Sequence, residues 1–433
     1  MKLSAWIILA TAALFGGQVP AAAQSDQAVE YRIKQGDTLY DLSKSFFVNE
    51  GAIADVMRIN RIRNARRLPV GGVLSLPRRL LRYEPQPLRV LTFSGPVTIS
   101  HSGSKLEPRL GVQVAEGAIV ETGARGFISL GGTGNSRLSL PSNSRVRVDG
   151  ARRYLINDAI DFDIRVLKGR SEIVAPKLKD QERFRVGTPQ AVTAVRGTKF
   201  RVAYKEAAER SLTEVVEGNV EVVVGEESVA AAAGSGVAAN ALAIGAAEPL
   251  LPAPALVDAG SIQTGEDVTF TVEELGKAEG YRTQLARDAG FVEVIAEQIS
   301  SDEVVAFDDI ADGRLFVRSR AIAESELEGL TEVYSFRRKR LGAAVSVEAS
   351  PFDDAYKFIW LPEGEGKSYA GFQLWDAKKP DTLLVDEIGV EFQGFYVSNV
   401  EPADYRWRVA TFQIDEGEVI KVWGPVQEFK VTE

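Results

Sequence analysis

The sequence predicts a multidomain, mainly β protein: a small α+β module in strand–helix–helix–strand (βααβ) order, then an all-β domain, then two β-sandwich repeats. Three observations lead there. Helical spacing of apolar residues is confined to residues 31–77. Beyond residue 88, short β-branched runs alternate with Gly-centred turns. Residues 256–433 repeat themselves at offsets of 89 and 90. The chain has 433 residues, 45% of them apolar, which suffices for several separate cores.

The first module spans 29–78. A short strand, Tyr31–Lys34, stops at Gly36, and Asp37 and Thr38 are both good helix N-caps. Leu39, Leu42 and Phe46 share one helical face, and Ile53, Val56 and Met57 line a second helix. Asn60 reads as its stop, because Asn tolerates the left-handed conformation. Pro69 and Gly71–Gly72 then turn the chain into the strand Val73–Leu76, closed by Pro77.

This stretch resembles the lysin motif, LysM. Tyr31, Ile33, Gly36, Asp37, Thr38 and Leu39 match the family's opening; Asn60 matches its helix end; Pro69, Gly71, Leu74 and Pro77 match its close. The resemblance implies binding of N-acetylglucosamine-containing glycans such as peptidoglycan strands, with no chemistry performed. The glycan-binding candidates are Gly36, Asp37, Thr38 and Leu39 in the first loop, and Asn60, Arg61, Ile62 and Arg63 in the second. Backbone groups would bond acetamido and hydroxyl groups, and Leu39 and Ile62 would contact sugar faces. From Glu30 to Arg79 the chain carries ten Lys or Arg against five Asp or Glu, whereas the whole chain is −9. A basic module on an acidic protein suits an anionic polymer, and the overall charge argues against nucleic acid.

Residues 1–23 read as a secretory signal peptide. Lys2 is the positive start, Leu3–Phe15 the apolar core and Ala21–Ala22–Ala23 the cleavage site, leaving Gln24 as the mature N-terminus. Without Cys there is no lipoprotein anchor, so a periplasmic or secreted location follows, with no transmembrane segment after cleavage. Arg78–Pro87 reads as a Pro-biased extended linker.

Residues 88–240 contain the predicted strands Ala118–Glu121, Phe127–Leu130, Arg137–Leu140, Arg145–Val148, Ile164–Leu167, Glu172–Val174 and Phe184–Val186. Val220, Val222 and Val224 alternate after a Gly218–Asn219 turn. Thr188–Pro189, then Arg196–Gly197–Thr198, Phe200 and Val202, then Glu217–Gly218, resemble the periplasmic domain of the FecR family. Gly117–Leu130 fits its upstream section. Characterised members of that family sense an outer-membrane receptor and regulate a sigma factor through a cytoplasmic helical segment and one membrane span. Neither is read in this sequence, so the resemblance implies a rigid envelope β module with a protein partner. Arg196–Gly197–Thr198 is read as structural.

Val229–Ala247 is uncharged but built of Ala and Gly, too little apolar area for a membrane span. Its end belongs to an Ala/Pro linker, 241–256. Two immunoglobulin-like or fibronectin type III-like sandwiches follow, at 257–340 and 341–433. Gln284–Leu285 corresponds to Gln373–Leu374, and Leu315–Arg318 to Tyr405–Arg408; Asp312–Gly313 and Glu416–Gly417 are turns. Trp360, Trp375, Trp407 and Trp423 all fall in the second copy, where core positions are expected.

Composition narrows the chemistry. With no Cys and a single His, His101, read as a surface residue, thiol catalysis and a zinc site are excluded, and no cofactor, metal or catalytic residue is predicted. A glycosidase needs only two carboxylates, so a peptidoglycan hydrolase stays as a minor reading. The leading reading is a non-catalytic envelope protein that binds peptidoglycan and presents β domains to a protein partner. The second is an envelope sensor or assembly factor whose main activity is protein binding by the β domains.

Overall fold

Two eight-residue helices are too short to persist alone, so packing must hold them. The computed structural model describes residues 28–195, 197–390, 394–415 and 417–432; the 1–23 segment, Arg196 and Glu416 lie outside these. Strand β1 (Ala28–Arg32) pairs antiparallel with β2 (Val73–Pro77), and between them run α1 (Leu39–Phe46) and α2 (Ala52–Ile59). Thr38 caps α1, its Oγ1 accepting from the Asp41 amide at 3.1 Å. Leu39, Leu42, Ile53 and Val56 bury against Tyr31, Ile33, Leu74 and Leu76. The left-handed residue after α2 is Arg61 (φ 55), not Asn60 (φ −94). Asn60 ends the helix with its side chain instead.

The expected linker at Arg78–Pro87 is part of the packed structure. Arg78–Leu80 forms a 3-10 turn, Leu80 and Leu81 are buried in the first module, and Tyr83–Pro85 pairs with the strand Arg145–Tyr154. Tyr154, from the next domain, is buried in the first module's core. Arg78 is 7% exposed: it donates to the Gln181 carbonyl at 2.6 Å, faces Asp161 at 3.6 Å and covers the Tyr154 ring at 5.4 Å. The first module is therefore fastened to the β domain rather than strung from it.

Eighteen strands from Tyr83–Pro85 to Glu248–Pro249 form a hydrogen-bonded sheet that closes into a barrel. The two strands expected at Ile164–Leu167 and Glu172–Val174 are one, Ile160–Val174. Gly169 (φ 70) lets this strand change partners: up to Lys168 it pairs with Arg145–Tyr154, and from Gly169 with Lys199–Lys205. A Cβ on Gly169 would stand 2.5 Å from the Asn143 carbonyl oxygen, so only glycine fits. Thr188 closes its turn by accepting from the Gln190 and Ala191 amides at 3.2 and 3.0 Å. Gly197 (φ 66) packs over Lys177, and Phe200 and Val202 are core. These placements are structural, the reading given above for Gly197 and Thr198. His101 is half-buried, its Nε2 3.1 Å from the Glu116 carbonyl oxygen.

The 241–256 stretch is likewise held. Glu248–Pro249 adds to the strand Ser235–Ala239, and Leu250 buries with Ala203, Leu212 and Leu327. Leu250 anchors this Ala- and Pro-rich stretch where composition suggested slack. No helix among the described residues is long and apolar enough to cross a membrane.

Each C-terminal sandwich packs a three-stranded against a five-stranded sheet. In the first, Ala278–Ala286 pairs with Gly313–Ala323, placing Gln284 opposite Arg318; in the second, Tyr369–Asp376 pairs with Asp404–Asp415, placing Gln373 opposite Arg408. The repeat seen in the sequence is thus a repeat in register. Trp360 and Trp407 fill the second core beside Phe358 and Phe372, as expected. Trp375 is also buried, at 9% exposure, but on the other side of the five-stranded sheet, where it and the half-buried Trp423 flank Arg408.

The first sandwich joins the barrel through a buried charge network. Glu214 accepts from Arg170 at 2.7 Å and Arg201 at 3.1 Å. Glu328, from the sandwich, meets Arg170 at 3.1 Å, Arg282 at 2.7 Å and Arg320 at 2.9 Å. Glu172, from the barrel, accepts from Arg318 at 2.8 Å and from Arg320. Phe127, Ala286, Phe291 and Val294 form one apolar flank, and the Leu250–Leu327 cluster forms the other.

Two outcomes follow. Glu328 is 1% exposed, so Glu328→Ala removes one of the two carboxylate partners of Arg170, Arg282 and Arg320 and should cost about 3–5 kcal/mol, measured by urea unfolding of the full chain. Burial works to raise the carboxyls of Glu172 and Glu328, but the surrounding arginines outweigh it and hold both well below the ordinary 4.5. Carboxyls depressed on folding contribute stability that is complete above that ordinary value and is lost as pH falls towards the folded-state value. Thermal midpoints should therefore be held by this network from neutral pH to about 4.5 and decline below it, and Glu172→Gln should remove part of the decline.

Candidate functional site

The candidate glycan site rests on one backbone contact: the Leu39 amide donates to the Ala65 carbonyl at 2.8 Å. That bond sets Leu39, at the end of the loop before α1, beside Ala65 in the loop after α2. Gly36 (φ 91) is exposed, with nothing near the position of a Cβ, leaving its backbone open. Asp37 is half-buried and fixed from behind, accepting from the Tyr31 hydroxyl at 2.9 Å and the Lys34 amide at 2.7 Å. Burial, and then the Asp37 carboxylate, push the Tyr31 phenol up to about 12, so it stays a hydrogen-bond donor at any physiological pH.

Thr38 is spent on the helix cap and on Asp41, to which its hydroxyl donates at 2.6 Å. Arg61 and Arg63 are exposed and Ile62 is half-buried. The Leu39 side chain cannot act as expected. Leu39 is 0% exposed, so its side chain is core and meets no sugar. The Asn60 side chain is saturated: Nδ2 donates to Val56 O and Ser75 O, each at 2.9 Å, and Oδ1 accepts from the Ser75 amide at 2.6 Å. It ties α2 to β2 and positions the loop without facing a ligand.

The sequence reading passed over Tyr40 and Arg66. Tyr40 is 52% exposed, next to Leu39 but on the opposite side of α1, and the Arg66 guanidinium lies 5.8 Å from its ring centre. An aromatic on the polar face of an amphipathic helix was the available signal. Among the described residues, no group of His, Asp and Glu side chains is arranged to hold a metal ion.

With this geometry, the chain is a multidomain β protein carrying two recognisable modules. The LysM domain family matches residues 31–77, and the FecR protein family matches residues 118–221. Both families are binding or regulatory rather than catalytic. No curated protein matches the chain. Among solved structures, a Parabacteroides distasonis protein described as an anti-sigma factor is 16% identical, over 30% of this chain and 59% of its own length, with a TM-score of 0.26. This chain therefore spans less than two thirds of that protein. The FN1–FN3 domains of chicken CNTN1 are 14% identical over 56% of this chain and 95% of theirs (TM-score 0.22). A two-domain fibronectin type III segment of chicken tenascin is 10% identical over 42% and 98% (TM-score 0.21).

The Asn60 clamp separates position from contact. Asn60→Ala should destabilise the first module by about 2–3 kcal/mol, because it leaves the Ser75 amide and carbonyl without their partner. Arg61→Ala, at an exposed position, should stay within about 0.5 kcal/mol. Hydrogen exchange of amides 28–82 in the full chain reads both.

Proposed function

We propose that this is a non-catalytic cell-envelope protein that binds peptidoglycan through residues 31–77 and holds its β domains at the wall. The observation carrying this reading is the pairing of two loops across the Leu39–Ala65 bond, in a segment that matches the LysM domain. Exposed backbone at Gly36 would bond acetamido and hydroxyl groups of N-acetylglucosamine. Ile62 and Tyr40 offer apolar surface to sugar faces, and Arg61, Arg63 and Arg66 offer charge to stem-peptide carboxylates. Leu39 and Asn60 serve as positioning residues. A single shallow site offsets little of the cost of association, so affinity should be modest.

The FecR match favours a second element: protein recognition by the β domains in an envelope sensor or assembly role. The two readings are compatible, one naming the anchor and the other the cargo.

Co-sedimentation of the full chain with purified sacculi is the test. Paired Arg61→Glu and Arg63→Glu changes should weaken it roughly tenfold at low salt and less at high salt. Soluble N-acetylglucosamine oligomers should compete. Wild-type sedimentation no greater than that of the double variant would sink the proposal. A cell-wall zymogram should show no clearing.

A further inference from the structure

The two sandwiches carry the same three-residue relay on the outer face of the five-stranded sheet. In the first, Gln284 lies across from both Glu297 and Arg318. Its Nε2 donates to Glu297 Oε2 at 2.6 Å, which aims its oxygen at Arg318; Arg318 donates to that oxygen from Nε at 2.9 Å and Nη2 at 2.6 Å. In the second, Gln373 lies across from Asp386 and Arg408. Its Nε2 donates to Asp386 Oδ1 at 2.9 Å, and Arg408 donates back from Nε at 2.9 Å and Nη2 at 2.8 Å.

The relays differ in how they end. Arg318 continues to Glu172 on the barrel, at 2.8 and 2.9 Å, with its guanidinium 4.1 Å from the Phe291 ring. Arg408 continues to nothing: among the described residues no carboxylate pairs with it. It is half-buried, 4.2 Å from the Trp423 ring and 5.8 Å from the Trp375 ring, with Lys421 4.5 Å from Trp423 on the other side. Ile388, 68% exposed, lies on the neighbouring strand, two residues beyond the Asp386 of the relay. A guanidinium oriented by a glutamine, flanked by indoles and lacking a counter-charge is a prepared carboxylate receptor.

We infer that the outer face around Gln373, Trp375, Arg408 and Trp423 docks a second protein that presents a Glu or Asp side chain from a β sheet, as Glu172 is presented to Arg318 within this chain. The occupant follows from the repeat. The matching face of the first sandwich meets the barrel, where Glu172 reaches Arg318 beside the apolar side chains of Phe127, Phe291 and Val294, and the second face offers the same relay with Arg408, Lys421 and the exposed Ile388. This surface deepens the reading that the β domains recognise a protein and is independent of glycan binding.

The test places a photo-crosslinking amino acid at Ile388 in the full chain in cells, with Leu361, exposed on the opposite sheet, as the control position. The proposal expects an adduct from Ile388 and not from Leu361, mapping beside an Asp or Glu of a β-rich protein. Arg408→Glu should reduce it at least about tenfold, and changing the mapped acid to Lys should restore it in the Arg408→Glu background. If Arg408→Glu lowers the thermal midpoint, Lys421→Glu, an exposed change on the same face, carries the test. An adduct insensitive to both variants, an adduct to a second copy of this chain or to cell-wall material, or no adduct would overturn the inference. Sacculus co-sedimentation of Arg408→Glu should equal wild type, so failure here and failure of glycan binding are told apart.

Discussion

The junction between the barrel and the first sandwich depends on charges that cannot be left alone. Glu172, Glu214 and Glu328 sit among Arg170, Arg201, Arg282, Arg318 and Arg320, and each acid touches at least two guanidinium groups. Taking such groups out of water is costly, and a network of this kind adds little net stability over an apolar core of the same shape. What it adds is orientation. Planar guanidinium groups accept few arrangements of carboxylates, so the two domains meet in one register, with apolar clusters at Phe291 and Leu327 sealing the edges.

The same logic operates at the other end of the barrel. Arg78 reaches between modules to Gln181, Asp161 and Tyr154, and Tyr154 completes the core of the LysM module. A 47-residue match has little core of its own, and the neighbouring domain supplies part of it. The LysM segment and the barrel are then fastened to each other, so a force on one passes directly to the other.

Much of this was legible in sequence. The apolar spacing of Leu39, Leu42, Ile53 and Val56 specified the helices of the first module, and the alternation in Val220–Val224 specified a strand. The 89- and 90-residue offsets specified two equivalent sandwiches. The misreadings have a common cause. Leu39 looked like a contact residue because its motif position is next to the loop, yet the helix it begins turns it inward. Asn60 looked like a backbone device, yet its amide is engaged by β2, fifteen residues on. Arg78–Pro87 looked slack because Arg and Pro read as solvent and linker, whereas Arg78 is buried against residues a hundred positions away.

The sequence by itself determined the element types, the module order and the families, because these depend on local periodicity and on motifs within a few tens of residues. The tertiary structure decided which polar groups face each other. Glu172 and Arg318 are 146 residues apart and lie on separate domains. Nothing in a one-dimensional pattern distinguishes Arg318, which meets a carboxylate, from Arg408, which meets none among the described residues. Their strands carry the same relay in the same register, and only the presence or absence of a neighbouring surface sets them apart. Electrostatic pairing acts through space over a few ångströms, so the fold alone assigns partners and shows which charge has been left waiting for one.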